Sequence, residues 1–389
     1  MDMMSKKTKR PSSRFWGYLP QTLAILLSFF LVLNLVVYDR SYSDTENRPL
    51  HQFPAPYWNS LVSGKYGQQL EDYVADQFVG RNFFFHADYL IRKLGGQREI
   101  SNVFLGKKAL LAQVMPPSGD LPGRQVEAIN RFCSQTGLSS SVLVAPAAAT
   151  IQKQKLPAFA PVYDENPMLD GIYDSLATSK ADIRSSLDEH RSEYIYYRTD
   201  HHWTSLGARY GAMSFLASLG KEMNPDDFEN LKVSDSFQGT LASKTGSFLL
   251  KDDLYICPDK KQTQYLVTWN DGSKTTSIYD QTALKHKDQY QLFLGQNQGL
   301  VHVETLSESQ DSLLLFKDSY ANSMIQYLIP YFQNIYIVDP RYYNDDLGYI
   351  LVAGNITHVG FVFSSGNFAT ESSLCDVLES YLSSHEQAE

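Results

Sequence analysis

The densest apolar stretch lies at the start of the chain. An uncharged run extends from Phe15 to Tyr38, with a dense apolar core from Leu23 to Val37. About 20 apolar residues span a bilayer, so this run predicts a single transmembrane helix. Lys6, Lys7, Lys9, Arg10 and Arg14 flank it on the N-terminal side against one acid, Asp2. That asymmetry predicts a cytoplasmic N-terminus and an extracellular main domain, placing the protein in the cell membrane. No small-residue cleavage site follows Val37; Tyr38, Asp39 and Arg40 come instead, which favours an uncleaved anchor over a signal peptide.

After a polar, proline-bearing stalk, helical spacing takes over between residues 57 and 95. Tyr57, Leu61, Tyr66, Leu70 and Tyr73 form one stripe, continued by Phe78, Phe83, Phe84, Phe85, Leu90 and Leu94. Asp76 and Arg81 in the connecting turn read as a structural ion pair. Residues 103–111 look like a hairpin turning near Gly106. From about Asp120 the pattern becomes mixed. Residues 121–136 read as a helix, 141–145 as a short strand, and the loop 146–153 as a candidate cleft wall. Helical pieces at 171–176 and 180–190 precede a predicted strand, 194–198, and a helix from Thr204 or Ser205 to about Gly220.

Between residues 235 and 310 short β-like runs dominate, including 265–269, 291–295 and 300–303. Asn270-Asp271-Gly272 is a hairpin signal. Then come a buried strand at 312–317, a helix at 320–332 and a strand at 334–339, the signature of a βαβ unit with parallel pairing. A helix near 345–353, a strand at 358–363 and a helix at 371–382 close the chain. The expected fold is α/β, with three α/β/α layers and a β-rich insertion at about 235–310, preceded by one transmembrane helix. Its parts are a tail, anchor and stalk (1–45), a helical N-terminal module (46–119) and the α/β domain (120–389).

Composition narrows the function. The net charge of −9 over 389 residues excludes a broad basic face for nucleic acid. Three cysteines, Cys133, Cys257 and Cys375, have no C-x-x-C spacing and cannot make a structural zinc site. Three buried free thiols are the expectation, with one bridge and one free thiol as the alternative.

The candidate chemistry sits in Thr199-Asp200-His201-His202-Trp203-Thr204. Asp200 and His202, at i and i+2 of an extended segment, project from one face, so the carboxylate can orient an imidazole acting as general base. Ser319 ends the buried strand where a helix begins, and backbone N–H groups there can stabilise an oxyanion. A Ser319/His202/Asp200 triad acting through an acyl-serine follows. His201 points to the opposite face of such a strand and reads as structural. Asp-His-His, aided by His190 or another histidine, can also suggest a metal-dependent phosphoesterase. The chain lacks the Asp-rich ligand motifs such a site needs, so no metal or cofactor is expected. Trp203 reads as a packing residue with sugar stacking as the alternative, and Arg341 leaves the carboxyl end of the strand after Ser319.

Asp200-His201-His202-Trp203 together with Lys317-Asp318-Ser319-Tyr320 resembles the DHHW family. That family is similar to the permuted SGNH-hydrolase-like domains of alginate O-acetyltransferases, in which a D-x-H pair precedes the serine. The resemblance implies catalytic Asp200, His202 and Ser319, with Arg341, Trp203 and Tyr320 as substrate-binding candidates. It also implies O-acetyl transfer to a cell-surface or secreted polysaccharide, with a multipass membrane acyltransferase as partner. A carbohydrate O-acetylesterase and a non-catalytic glycan-binding scaffold of the same fold are the alternatives. Lys317 stands where the family has glycine, and Gly239, Asn322 and Asn367 are candidates for the SGNH glycine and asparagine.

Overall fold

A computed structural model describes residues 13–386. The basic residues Lys6, Lys7, Lys9 and Arg10 lie outside the described part. Two compact units divide the chain, Met1–Asp88 and Tyr89–Glu389, so the division falls within the helix Arg81–Leu94. The expected boundary at 119/120 differs because the three-stranded sheet of Glu99–Ile100, Val103–Leu105 and Leu110–Ala112 belongs to the second unit. Its Leu110 N–H donates to the Arg198 carbonyl at 2.7 Å, and Val103 and Leu110 pack with Leu241 and Ala242.

In the first unit the apolar run forms the helix Ser13–Val36, which contains Pro20. Leu23, Ile25, Leu27, Leu31 and Leu35 are exposed along it. Among the described residues no helix is long and apolar enough to cross a membrane. The helix Lys65–Gln77 ends on an ionic hub. Buried Asp76 accepts from Arg48 Nη1 at 2.9 Å and from the His51 N–H at 2.9 Å, with Arg81 Nη2 at 3.5 Å. The Arg48 hydrogen bond, against a smaller opposing effect of burial, holds the Asp76 carboxyl well below the ordinary carboxylate range.

The second unit is built on an eight-stranded mixed sheet. Its order is Lys274–Thr275, Tyr265–Thr268, Leu300–Thr305, Asn334–Val338, Ser312–Lys317, His358–Ser364, Ser139–Ala145 and Ser179–Lys180. The last five run parallel and the first three pair antiparallel. Much of the expected insertion is therefore the antiparallel edge of the main sheet, with Gly272 turning its hairpin at φ +81°. Strands Leu231–Phe237 and Asp252–Ile256 form a separate pair.

Leu313-Leu314-Leu315-Phe316 is apolar without alternation because both faces of this central strand are covered. Leu313 and Leu315 pack with Phe215 and Leu216 of the helix Ser205–Ser218. Leu314 and Phe316 pack with Ile129 and Phe132 of Leu121–Thr136 and with Leu378 of Ser373–Glu386. Helices thus cover the sheet on both sides. The continuous helix expected over 320–332 is broken instead into Ser319–Ser323, Ile325–Leu328 and Ile329–Tyr331, the last containing Pro330. Residues 291–295 form no strand; a 3-10 turn, Gln289–Leu292, stands there. Cys133, Cys257 and Cys375 are free, and the last two are buried.

Candidate functional site

The segment that carries the Asp–His pair is a tight loop rather than the expected strand. Only one bridge, Tyr196 to Trp203, spans it. Tyr197 N–H donates to the His202 carbonyl at 3.2 Å and Thr204 N–H to that of Ile195 at 2.9 Å. Asp252 ties the loop down from outside. Its carboxylate accepts from the N–H groups of Arg198 (2.7 Å) and Thr199 (2.8 Å) and from the Tyr194 hydroxyl. Burial pushes that carboxyl up despite these donors. Thr204 caps the following helix through Gly207 N–H.

Inside the loop Asp200 folds back over His202. Its Oδ1 accepts from His202 N–H at 3.0 Å and lies 2.6 Å from His202 Nδ1. Oδ2 accepts from Thr240 N–H at 2.7 Å and from Thr240 Oγ1 at 3.0 Å. Burial would push this carboxyl up, but the neighbouring imidazoles and these donors hold it well below the ordinary range. An ionised Asp200 assigns the proton of His202 to Nδ1, which leaves Nε2 as acceptor. That nitrogen lies 2.8 Å from Ser319 Oγ. The two motifs, 117 residues apart, are thereby joined in one hydrogen-bonded relay.

Ser319 stands at the carboxyl end of Ser312–Lys317, the edge at which α/β sheets present their sites. Asp318 fixes the turn: its oxygens accept from Tyr320 N–H (2.9 Å), Ser364 N–H (2.9 Å) and Asn367 Nδ2 (2.8 Å). Lys317 is buried beneath with Nζ 3.2 Å from Asp339 Oδ2. Burial pushes the Lys317 ammonium down, and Arg341 and Lys317 outweigh burial to hold Asp339 low.

The relay opens into a cleft of about 380 Å³ lined by His202, Ser319, Tyr290, Asn297, Asn322 and Tyr342 among others. A second cleft, about 250 Å³, borders Asp200 and His201 from the side of Ala147, Ala148 and Asn367.

Of the other expected residues, Asn322 lines the first cleft and Tyr320 and Asn367 the second, while Trp203, Arg341 and Gly239 line neither. Trp203 is fully buried, donating Nε1–H to the Tyr320 carbonyl at 2.8 Å, so its face is closed to a sugar. A Cβ on Gly211 would sit 2.7 Å from that indole, so glycine makes its seat. Arg341 is bound to Asp339 at 2.7 and 2.9 Å, and its neighbour Tyr342 lines the cleft. Tyr320 is buried and donates to the His201 carbonyl. Gly239 lies under Asp200, Asn367 holds Asp318, and Asn322 faces the cleft with Nδ2 3.5 Å from Asn297 Oδ1.

His201 does not point away from His202: their ring centroids are 3.9 Å apart, because a turn replaces the strand. Asp200, His201 and His202 hold ligand atoms within 4.8 Å of one another. Both Asp200 oxygens and both His202 nitrogens are already hydrogen-bonded, however, so an ion there would have to dismantle the relay. Desolvation, then His202 beside it, pushes the His201 imidazole below its usual range.

Pattern reading did not single out Tyr290, Thr240 and Asp252. Of these only Thr240 lies in a run, residues 239–246, whose small polar composition suits a cleft rim, though equally an ordinary surface loop.

Residues 172–338 match the family described as DHHW protein. A DHHW family protein from Eubacterium siraeum has a similar structure at TM-score 0.63 and 23% identity, covering 72% of this chain and 96% of that one. Bacillus cereus PatB1, solved with a sulfonyl adduct, follows at TM-score 0.59 and 18% identity, covering 70% and 97%. The O-acetyltransferase domain of Pseudomonas putida AlgJ is a fainter likeness, with TM-score 0.45, 13% identity and coverage of 72% and 99%. The curated proteins include no match. The resemblance to the DHHW family thus holds in the motif-bearing sequence and, through the Eubacterium siraeum structure, in the fold.

Proposed function

We propose that the protein is a serine-dependent O-acetyltransferase acting on a cell-surface or secreted polysaccharide. The observation that carries this reading is the relay from Asp200 through His202 to Ser319 Oγ, opening on a polar cleft. His202 Nε2 takes the Ser319 proton as Oγ attacks the acyl carbonyl, while Asp200 steadies the imidazolium. His202 then passes that proton to the departing group, leaving an acyl-serine. An acceptor hydroxyl enters the cleft, gives its proton to His202 and attacks the acyl carbon, which frees Ser319 as its Oγ regains the proton. The side-chain amide of Asn322, in the same cleft, serves as a donor to the oxyanion.

Acetyl as the group and glycan as the acceptor follow from the motif resemblance. The N-terminal segment, residues 15–38, anchors the protein with its catalytic unit outside the cell. The exposed leucine row of the helix Ser13–Val36 supports contact with a membrane, and a membrane acyltransferase supplies the acyl group.

The test uses a sulfonyl fluoride, chosen because PatB1 carries a sulfonyl adduct. Mass spectrometry of the full chain in detergent should find the adduct on Ser319, and Ser319→Ala should lose it. Labelling unchanged in Ser319→Ala would remove the assignment. Acetyl passed from an aryl ester to an oligosaccharide supports the transferase; acetate released at the same rate with and without oligosaccharide makes the protein an esterase. Glycan binding with neither labelling nor turnover makes it a scaffold.

A further inference from the structure

We propose that Tyr290 is a positioning residue for the relay, holding the His202 ring by its face and the Ser319 main chain by its hydroxyl. The inference rests on the triad reading above and deepens it.

Three aromatic side chains approach the His202 ring. His201 and Tyr320 do so tilted by 37° and 50°, at centroid separations of 3.9 and 5.2 Å. Tyr290 alone of the three lies parallel, at 3.8 Å and 8°. Asp200 and Ser319 hold the ring through two edge atoms, Nδ1 and Nε2, and edge contacts alone still allow the plane to tip about the line joining them. A parallel face contact removes that freedom. It also sets a π face against the imidazole at the moment it gains positive charge, an attraction absent from the neutral ground state.

The far end of the same side chain reaches the nucleophile. Tyr290 Oη donates to the Ser319 carbonyl at 2.9 Å and approaches Ser323 Oγ at 3.3 Å. One rigid phenol therefore spans base and nucleophile and sets the 2.8 Å between Nε2 and Oγ. Its own place is fixed by Tyr197 (6.2 Å, 84°) and Phe293 (5.5 Å, 59°) in a cluster with Phe237 and Leu254. No motif marks this residue, because the packing of the segment around Gln289–Leu292 delivers it.

The experiment measures the second-order rate of Ser319 sulfonylation by a sulfonyl fluoride in the full chain, with melting temperature recorded for each variant. Tyr290→Phe keeps the ring and should stay within about fivefold of the parent rate, whereas Tyr290→Leu loses both holds and should fall by about 30–100-fold. With an aryl acetate the Tyr290→Leu loss should appear in kcat and leave KM unchanged. A double-mutant cycle separates positioning from packing: added to His202→Ala, Tyr290→Leu should cost no more than about fivefold, the share of the hydroxyl hold on Ser319, since no imidazole remains to be held. Equal losses in both backgrounds would overturn the proposal, as would a Tyr290→Leu rate within about threefold of the parent. If His202→Ala itself reacted at the parent rate, the triad would fall and this proposal with it.

Discussion

Replacing Gly239 by alanine should damage the site through one atom. The backbone there has φ −81°, open to any residue, so conformational strain plays no part. The added Cβ would lie 2.2 Å from Asp200 Oδ2, 2.3 Å from its Cβ and 2.6 Å from its Cγ. Carbon atoms settle at about 3.5–4.0 Å, so Asp200 or the segment bearing residue 239 has to move by roughly 1 Å or more. Asp200 cannot simply turn aside, because both its oxygens are held by His202 and Thr240. The partner segment is held as well, since Gly239 N–H donates to Thr199 Oγ1 at 3.0 Å. Overpacking of this kind costs about 1–3 kcal/mol. A misplacement of about 1 Å at a catalytic group costs about 10²-fold, and about 10⁴-fold is the loss when the triad acid fails altogether. The expected sulfonylation rate is therefore about 10²–10⁴-fold below the parent. Urea unfolding should give a lowered midpoint. Gly171→Ala is the reference: it lies within the helix Asn166–Ser175 with nothing within 4 Å of its Cβ position. That change should leave the rate alone and stabilise the helix by up to about 1 kcal/mol. A Gly239→Ala protein that reacts within about threefold of the parent and unfolds at the same urea concentration would refute the packing argument.

Trp203→Phe should cost about 2–4 kcal/mol, from the vacated volume and the stranded Tyr320 carbonyl. Oligosaccharide binding should be unchanged; weakened binding with unaltered unfolding would return the indole to the cleft. Asp76→Asn should cost about 2–3 kcal/mol in urea unfolding, the low side for a broken buried pair because Arg48 is partly exposed. Since the Asp76 carboxyl is held low in the fold, its contribution is present above its unfolded pKa near 4 and is lost as pH falls below that. The Asn variant should accordingly show a shallower loss of stability on acidification at low salt. His201 is also held low, so the fold loses stability as pH falls from the unfolded value near 6.5 toward the folded one. His201→Gln should flatten that limb, and an unchanged slope would count against a neutral His201.

The legible part of this chain is the part whose causes are local. Leu313 to Phe316 show a buried strand because every one of them needs cover, and Asn270-Asp271-Gly272 shows its hairpin because the turn requires a positive φ. Asp200, His202 and Ser319 were readable as chemistry, since spacing and residue type suffice to suggest a relay. The geometry that joins them was not. An extended segment predicts Asp200 and His202 on one face and His201 on the other. The turn instead lets Asp200 close onto the His202 main chain and brings the two imidazoles together.

That turn is paid for from distant segments. Asp252 satisfies the N–H groups of residues 198 and 199 that a strand partner would otherwise have taken, and Thr240 satisfies the outer oxygen of Asp200. Neither residue has a periodicity or motif tied to the loop it serves: Thr240 lies in a small polar run that reads equally as an ordinary surface loop, and Asp252 has no signal at all. Tyr290 is the stronger case, because a tyrosine beside Leu292 and Phe293 reads as core and is core on its outer face. Only its inner face, stacked on His202, bears on the relay. A residue with both duties is bound to look structural in sequence, and the double-mutant cycle with His202 is the measurement in which its two duties separate.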